Sequence, residues 1–173
     1  MRSARRRRTV SARLVGGVAE VAVPAWMSAA DERQAVTAVV RKLERRAAAG
    51  AVDLEARAAA LADRYGLPRP ASVRWVSNQQ WRWGSCSPAE GRIRLSDRLA
   101  GFPAWVVDYV VVHELAHLRV AGHGPAFWAL VERYPRAERA RGFLLAKGLE
   151  GDDDGDEGTE GDDRVTGAGA GEP

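Results

Sequence analysis

The sequence has few of the side chains that usually bind metals or carry redox chemistry: one cysteine, two methionines and three histidines in 173 residues. A single cysteine, Cys86, excludes an internal disulfide and a zinc site built from cysteine pairs, and it agrees with a reducing, cytoplasmic setting. No run approaches the roughly eighteen apolar residues of a membrane-spanning helix, so no membrane anchor is expected. The scarce histidines are informative through their positions, because all three lie within Val110–Trp128.

His113 and His117 are separated by one helical turn. On an α-helix both rings therefore lie on the same face and can share one Zn²⁺ ion at about 2.0–2.1 Å. Glu114 is rotated by about 100° from His113, where it can reach a water molecule at the metal rather than the metal itself. A carboxylate in that position can take the proton of the attacking water as general base. Histidine, glutamate, two spacers and histidine on a helix form the metalloprotease pattern.

His123 is the predicted third ligand. Gly122 and Gly124 flank it and Pro125 follows, so the helix should end near Arg119–Ala121 and the chain can turn back towards the metal. Three protein ligands leave one position open, as catalysis requires, whereas a structural zinc site is closed by four. The helix is apolar on nearly all sides, which indicates burial, and buried histidines and glutamate need partners such as a metal ion.

Four segments resemble the YgjP-like family of metal-dependent hydrolases, which is related to the SprT-like and WLM metallopeptidases. They are W-G-S-C-S at Trp83–Ser87, I-R-L-S at Ile93–Ser96, Y-V-V-V-H-E-L-A-H-L from Tyr109, and H-G-P-A-F-W from His123. The resemblance covers roughly Val10–Gly148. It implies a zincin-like fold, with His113, His117 and His123 as zinc ligands and Glu114 as the catalytic base.

The spacing from the first to the third histidine also equals that of the metzincins. Val120, however, occupies the position of their glycine. The only methionines, Met1 and Met27, precede the histidines and cannot form the Met-turn of that group. The chain is therefore predicted not to be a metzincin.

The remaining patterns predict an α+β fold, in which a small antiparallel sheet packs on the central histidine helix with flanking helices. Weak alternation on both sides of Gly16 and Gly17 predicts an N-terminal hairpin over Val10–Val23. Helical spacing and stop signals predict further helices over about 29–49, 53–65, 125–134 and 137–149. The predicted strands of the sheet are Ser72–Ser77, Trp81–Ser85 and Arg92–Leu95.

The segment Trp81–Ser87 has two open interpretations. In the structural one, its tryptophans cover the core and Gly84 allows close backbone approach. In the functional one, an edge strand beside the metal pairs with an extended peptide, and Trp83, Gly84 and Ser85 contact the substrate. Within this segment, Cys86 is expected to be a small buried or near-site residue rather than a ligand.

Two side chains are candidates for stabilising an oxyanion, Tyr134 and Arg82. The sequence places neither of them near the metal, and core packing suits Tyr134 better. Asp108 precedes His113 by five residues, which is too far round the helix for it to be the obvious partner of that ring.

The two ends differ from the centre in charge. Residues 1–9 are predicted to be a disordered basic arm, residues 10–149 a single zincin-like domain, and residues 150–173 a disordered acidic tail. The tail carries ten acidic residues and one arginine, so the net charge of +3 for the whole chain becomes +12 for residues 1–149. Such a basic body suits an acidic partner such as nucleic acid, whereas two solvated tails without a partner are the alternative.

Three functions follow from these patterns. The first is a zinc metallopeptidase that cleaves exposed or unfolded polypeptide. The second is a nucleic-acid-associated protein with a zinc site; SprT-like and WLM relatives include proteases that act on DNA-bound proteins, so the two can be combined. The third is hydrolysis of a non-peptide amide by the same metal chemistry. The sequence leaves the oligomeric state open.

Overall fold

The structure is a computed structural model that describes residues 2–3, 10–15, 18–79 and 81–148. The strands are β1 (Arg2–Ser3), β2 (Ser11–Val15), β3 (Val18–Pro24), β4 (Ser72–Val76), β5 (Gly84–Ser87) and β6 (Arg92–Ser96). The helices are α1 (Ala29–Gly50), α2 (Leu54–Tyr65), α3 (Ala104–His117), α4 (Pro125–Val131) and α5 (Ala137–Ala146). The α+β class predicted from the sequence is confirmed.

The N-terminal hairpin and the helix after it form where the sequence predicts them. β2 and β3 pair antiparallel with Ser11 opposite Ala22 and Val15 opposite Val18. The Ser28 hydroxyl accepts a hydrogen bond from the Asp31 amide at 3.1 Å, which satisfies one of the free N–H groups at the start of α1. Ala49 is the one buried residue of α1.

The second sheet has the order β4-β6-β5 and is mixed, so the prediction of an antiparallel sheet was wrong in this detail. β4 pairs parallel with β6, and β5 pairs antiparallel with β6. β4 and β6 are parallel because the chain reverses direction twice between them: it turns back after β4 to form β5, and it turns back again to form β6. Short apolar runs specify a strand but not the direction of its partner.

The edge strand β5 of this sheet also begins three residues later than predicted. Instead of Trp81–Ser85, the strand is Gly84–Ser87. Trp81 lies outside it with 84% of its surface exposed, so its predicted role in covering the core was wrong. Trp83 is buried and packs against Phe102 at a centroid distance of 5.2 Å.

The core is organised around α3, whose apolar side chains face the sheet on one side and the other helices elsewhere. Val106, Val111, Val112 and Leu115 are completely buried in it. Such burial on all sides explains why the helix shows no polar face in the sequence. Its buried Glu114 is therefore the exception that calls for a functional explanation.

Three other predictions about this region have clear outcomes. Tyr134 packs in the core and its hydroxyl donates to the Trp105 carbonyl at 2.9 Å. Asp108 is not a partner of His113 but accepts a hydrogen bond from the Arg57 guanidinium at 2.6 Å. The predicted acidic tail lies outside the described residues, as does the predicted basic arm apart from Arg2 and Ser3, which pair with β3.

Candidate metal centre

The three histidines predicted as ligands converge on one point. The Nε2 atom of His117 lies 3.3 Å from that of His113 and 3.2 Å from that of His123, and the remaining pair is also 3.2 Å apart. Among the described residues, these three form the group of metal-binding side chains that could hold an ion. The tertiary structure thus brings together the residues that the spacing pattern singled out.

The local backbone explains how the third ring reaches the other two. α3 ends at His117, and the amides of Leu118, Arg119 and Val120 close its last turn by donating to the carbonyls of Leu115 and Ala116. Gly122 then adopts a left-handed conformation with φ of 74°, which glycine tolerates without a steric penalty. The reversal directs His123 back towards the end of α3, and Pro125 starts α4 immediately afterwards.

Phe127 of α4 supports all three rings. Its ring centroid lies 4.8 Å from that of His113, 4.4 Å from His117 and 4.7 Å from His123. Phe127 is completely buried, so the rings are held in a packed environment rather than on a mobile surface. Packing of this kind fixes side-chain orientation before a ligand arrives.

The spacing of the nitrogens fits a tetrahedral ion. Two ligands on a tetrahedral Zn²⁺ with bonds of about 2.0–2.1 Å lie roughly 3.3–3.4 Å apart. The observed 3.2–3.3 Å matches that value. Three imidazole nitrogens pointing at one another without a shared proton or cation would leave unpaired lone pairs in a partly buried site, which is unfavourable.

A second contact of His117 favours the protonation state that a metal requires. Its Nδ1 lies 3.3 Å from the carbonyl oxygen of Val120. A carbonyl only accepts hydrogen bonds, so Nδ1 carries the proton and Nε2 keeps its lone pair. Histidines that ligate metals are commonly oriented in this manner.

Electrostatics also favour a neutral His113. Burial lowers the pKa of His113 well below its usual value, and the His117 and His123 rings and then the Arg141 guanidinium lower it further. A neutral imidazole is the form that binds a metal ion, since a protonated ring has no free lone pair. The site is thus prepared for a cation at neutral pH.

Glu114 follows His113 on α3, and its buried side chain is in close contact with the sheet. An added Cβ on Gly84 would lie 2.8 Å from Cδ and 2.9 Å from Cγ of Glu114, and closer still to Oε1. Glycine at the start of β5 is therefore what allows the Glu114 carboxylate to reach this position. The sequence indicated close approach at Gly84 but not the group that approaches it.

Cys86 of β5 is half-buried and lies outside the histidine group. Burial raises the pKa of its thiol to about 12, with a further contribution from the negative charge of Glu114. The thiol is therefore protonated at neutral pH and is neither a reactive nucleophile nor a ready ligand. Its neighbour Ser85 accepts a hydrogen bond from the buried Gln79 amide at 2.5 Å.

β5 is an edge strand within the described part of the chain, since only β6 pairs with it. The Ser96 amide donates to the Trp83 carbonyl at 2.8 Å, so this opposed pair is hydrogen-bonded. Along an antiparallel pair the direction of the backbone groups alternates. The N–H and C=O groups of Ser85 therefore point to β6, and those of Gly84 and Cys86 point away from it, to the open side. Of the predicted contact residues, the Trp83 side chain is buried and only its backbone is near this edge.

Sequence reasoning missed Arg141 of α5. Its guanidinium carbon lies 4.5 Å above the Trp128 ring, and that ring lies 6.2 Å from His113 and 5.9 Å from His123. The charge of Arg141 is close enough to lower the pKa of His113. Arg141 lies 24 residues after the HExxH pattern, and no sequence feature distinguishes it from the many other arginines.

The sequence profile of the YgjP-like metallopeptidase domain matches residues 13–145. The chain belongs to the YgjP-like metallopeptidase family. The crystal structure of the metallopeptidase zymogen abylysin from Pyrococcus abyssi is also similar, with 25% sequence identity and a TM-score of 0.50. That match covers 56% of this chain and 96% of abylysin.

A search of curated protein sequences finds no match. The family profile and the similarity to abylysin confirm the predicted resemblance to the YgjP-like family and the assignment as a metallopeptidase. The three histidines are a group that could bind the divalent metal of such an enzyme. Across the part of the chain that the structure describes, no helix is long and apolar enough to span a bilayer.

Proposed function

We propose that this YgjP-like domain is a zinc-dependent peptidase that cleaves exposed or unfolded polypeptide, with Glu114 as the general base. The observation that carries the proposal is the triangle of Nε2 atoms at 3.2–3.3 Å beside a buried glutamate. Zinc is favoured over other metals because three imidazoles at tetrahedral spacing are typical zinc ligands with one position left open. The cytoplasm, with its low disulfide content, remains the predicted compartment.

His113, His117 and His123 would hold the ion. A bound Zn²⁺ ion supplies a Lewis acid that lowers the pKa of water and polarises a peptide carbonyl. Glu114 accepts a proton from the attacking water and later delivers it to the departing amine, so that the C–N bond breaks without a charged leaving group. Its burial strengthens this role, because few waters compete for the carboxylate.

The open edge of β5 supports an extended peptide as the substrate. The outward backbone groups of Gly84 and Cys86 can pair with a peptide strand, and Gly84 lies against Glu114. A peptide paired there would run past the catalytic carboxylate. Folded proteins rarely offer a free extended segment, so exposed or unfolded chains are the expected substrates.

The test is Glu114→Gln, which keeps the size of the side chain and removes the base. The variant should bind one zinc ion with unchanged affinity and lose hydrolysis of unfolded peptides, by at least the factor of about 10²–10⁴ that general-base catalysis contributes. Glu132→Gln, at an exposed position after α4, is the matched control and should remain active. Hydrolysis at the wild-type rate by the Glu114→Gln variant would exclude the mechanism.

A second candidate function, contact with nucleic acid, is favoured by the outer face of the second sheet. Arg74 of β4 lies directly opposite Arg94 of β6, and Ser85 lies on the other side of Arg94. Like charges opposite one another destabilise a sheet unless an anion neutralises them. Arg92, in the next row, is already paired with Glu90. We infer that this face contacts phosphate groups, in keeping with the basic body of the chain.

The nucleic-acid proposal is tested with a labelled single-stranded oligonucleotide and a salt titration. Exchanging both Arg74 and Arg94 for alanine should weaken binding and reduce the salt slope by about 0.7 for each lost phosphate contact. The control exchanges Arg33 and Arg41, which are exposed on α1. Equal losses in the two double variants would show only a diffuse attraction and contradict a contact surface on the sheet.

A further inference from the structure

Trp81 has the most exposed large apolar side chain in the described part of the chain, with 84% of its surface open to solvent. It does not cover the core, so packing does not explain why a tryptophan occupies this position. A single exposed apolar residue is common in proteins and needs no function of its own. The place of Trp81 in the fold, next to β5, is what makes it informative.

Trp81 lies on a short loop that is anchored on both sides. Before it, Gln79 is buried; its side-chain amide donates to the Ser85 hydroxyl, and its carbonyl accepts from the Ser96 hydroxyl at 3.0 Å. After it, Trp83 is buried, and its carbonyl accepts from the Ser96 amide. The backbone is therefore fixed to β5 and β6 within two residues of Trp81 in both directions, and the indole is held outside this anchored segment.

The same loop leads into the strand edge on which we expect the peptide substrate. Trp81 precedes Gly84 by three residues, which limits the distance between their Cα atoms to about 11 Å. Gly84 in turn lies against Glu114. A peptide that pairs with β5 and continues in this direction advances by about 3.4 Å per residue, so it passes Trp81 about two to four residues from the bond on which Glu114 acts.

An indole in this place suits one class of substrate side chain. Its faces are large, rigid and apolar, and they pack on aromatic or long aliphatic side chains. Unfolded polypeptide exposes such side chains, whereas folded proteins bury most of them. Pairing with β5 involves only the main chain of the substrate. A tryptophan beside that edge therefore adds a preference for side chains that the strand itself lacks.

We propose that Trp81 is a specificity-determining residue, whose indole packs on a large apolar side chain of the polypeptide about two to four residues from the cleaved bond. This inference rests on the proposed peptidase function and adds a side-chain preference to it. The competing occupant is a nucleobase, which also stacks on an indole and would be favoured by the adjacent, exposed Arg82. Continuity with the edge of β5 favours the peptide.

Peptides that differ at a single position measure the preference. The series is built on the fluorogenic peptide that the zinc-loaded full chain cleaves fastest, after mass spectrometry has located the cleaved bond. Leucine and serine are then compared at successive positions on both sides of that bond. At one position, about two to four residues away, leucine should give a kcat/KM about tenfold higher than serine. Trp81→Ala should abolish this difference, and Trp81→Phe should keep part of it.

Trp26→Ala is the matched control, because Trp26 is also exposed, by 69%, but lies in the turn between β3 and α1. This variant should keep the preference for leucine. Urea unfolding of Trp81→Ala should follow that of the wild type, since an exposed side chain contributes little to stability. A loss of the preference without a loss of stability separates a contact with substrate from a structural role.

Peptide binding tests Trp81 even if no bond is cleaved. In the zinc-loaded Glu114→Gln variant, a labelled alanine-serine peptide with one central leucine should bind about tenfold more tightly than the same peptide with serine there. Adding Trp81→Ala should remove the difference. Absence of cleavage by the wild type would refute the proposed function, while this comparison would still judge Trp81.

Several results would overturn the assignment. One is a leucine preference in Trp81→Ala within twofold of that in the wild type. Another is an equal loss in Trp26→Ala, or a wild type that does not distinguish leucine from serine in cleavage or in binding. A Trp81→Ala variant that loses affinity for the single-stranded oligonucleotide and keeps its leucine preference would assign the indole to base stacking instead.

Discussion

Gly84 matters at the residue scale because it has no side chain. It is buried at the start of β5, and Glu114 occupies the space where a Cβ would stand. The backbone conformation of Gly84 is not left-handed, so the requirement is steric and not conformational. Glycine at this position therefore makes room for the Glu114 carboxylate rather than allowing a turn.

Gly84→Ala is expected to fold but to lose most of its hydrolytic activity. The new methyl group must displace the far end of Glu114, which can move, so the cost in unfolding free energy should be about 1–3 kcal/mol. The displaced carboxylate no longer meets the attacking water. Gly50→Ala, where an added Cβ would have no neighbour within 4 Å, is the control. Peptidase rates and urea unfolding measure both effects, and a fully active Gly84→Ala would disprove the role.

At the level of elements, the two sides of the four-residue strand β5 have different surroundings. One side of its backbone completes the sheet with β6, and within the described residues the other side pairs with no strand and lies beside Glu114. An edge strand is ordinarily a risk for aggregation, and proteins tend to keep such strands short. The short length of β5 limits this risk at the edge where we propose that the substrate binds.

Methylated peptide substrates test whether β5 binds substrate as a strand. Successive amides in an extended chain point to opposite sides, so only every second amide can pair with β5. N-methylation of one set of alternating residues should abolish cleavage, whereas methylation of the other set should leave it nearly unchanged. Rates for the two peptide series, compared with the unmethylated parent, decide the matter. Equal sensitivity in both series would contradict strand pairing.

For the molecule as a whole, the three histidines are expected to make the stability of the metal-free protein depend on pH. Three imidazoles are held together in a partly buried position by the packing of α3 and α4. In the metal-free protein, the lowered pKa of His113 keeps that ring neutral in the fold. The unfolded chain has no such restraint and binds a proton below the ordinary histidine pKa of about 6.5.

The stability of the metal-free protein should therefore fall as the pH drops through this range. Protonation of His113 in the unfolded chain should leave the free energy of unfolding unchanged above about pH 6.5. Below that pH it should lower the free energy of unfolding by up to about 1.4 kcal/mol per pH unit, for one proton. Urea unfolding of chelator-treated protein between pH 7.5 and 5.5 measures the slope. Zinc should raise stability, by about 2.7 kcal/mol at a hundredfold excess over Kd.

His113→Gln is the control for this pH dependence, since it removes the partly buried ring and should flatten the slope. The comparison concerns the slope alone, because the substitution also changes the absolute stability. A slope in His113→Gln equal to that of the wild type would show that another group is responsible.

The sequence by itself determined which three histidines lie together, the glutamate next to them in the chain, and the family. His113, Glu114 and His117 were predicted from helical periodicity, and His123 from the glycines that flank it after the helix; both are local properties of the sequence. The capped helices and the N-terminal hairpin were predicted for the same reason, since caps and turns depend on neighbouring residues.

Only the tertiary structure decided the partners that are distant along the chain. It made the second sheet mixed, moved β5 three residues along, exposed Trp81 and placed Gly84 against Glu114. It also brought Arg141 to the edge of the histidine group. These features depend on which surfaces pack together. An arginine or a glycine has the same local pattern whether it faces solvent or an active site.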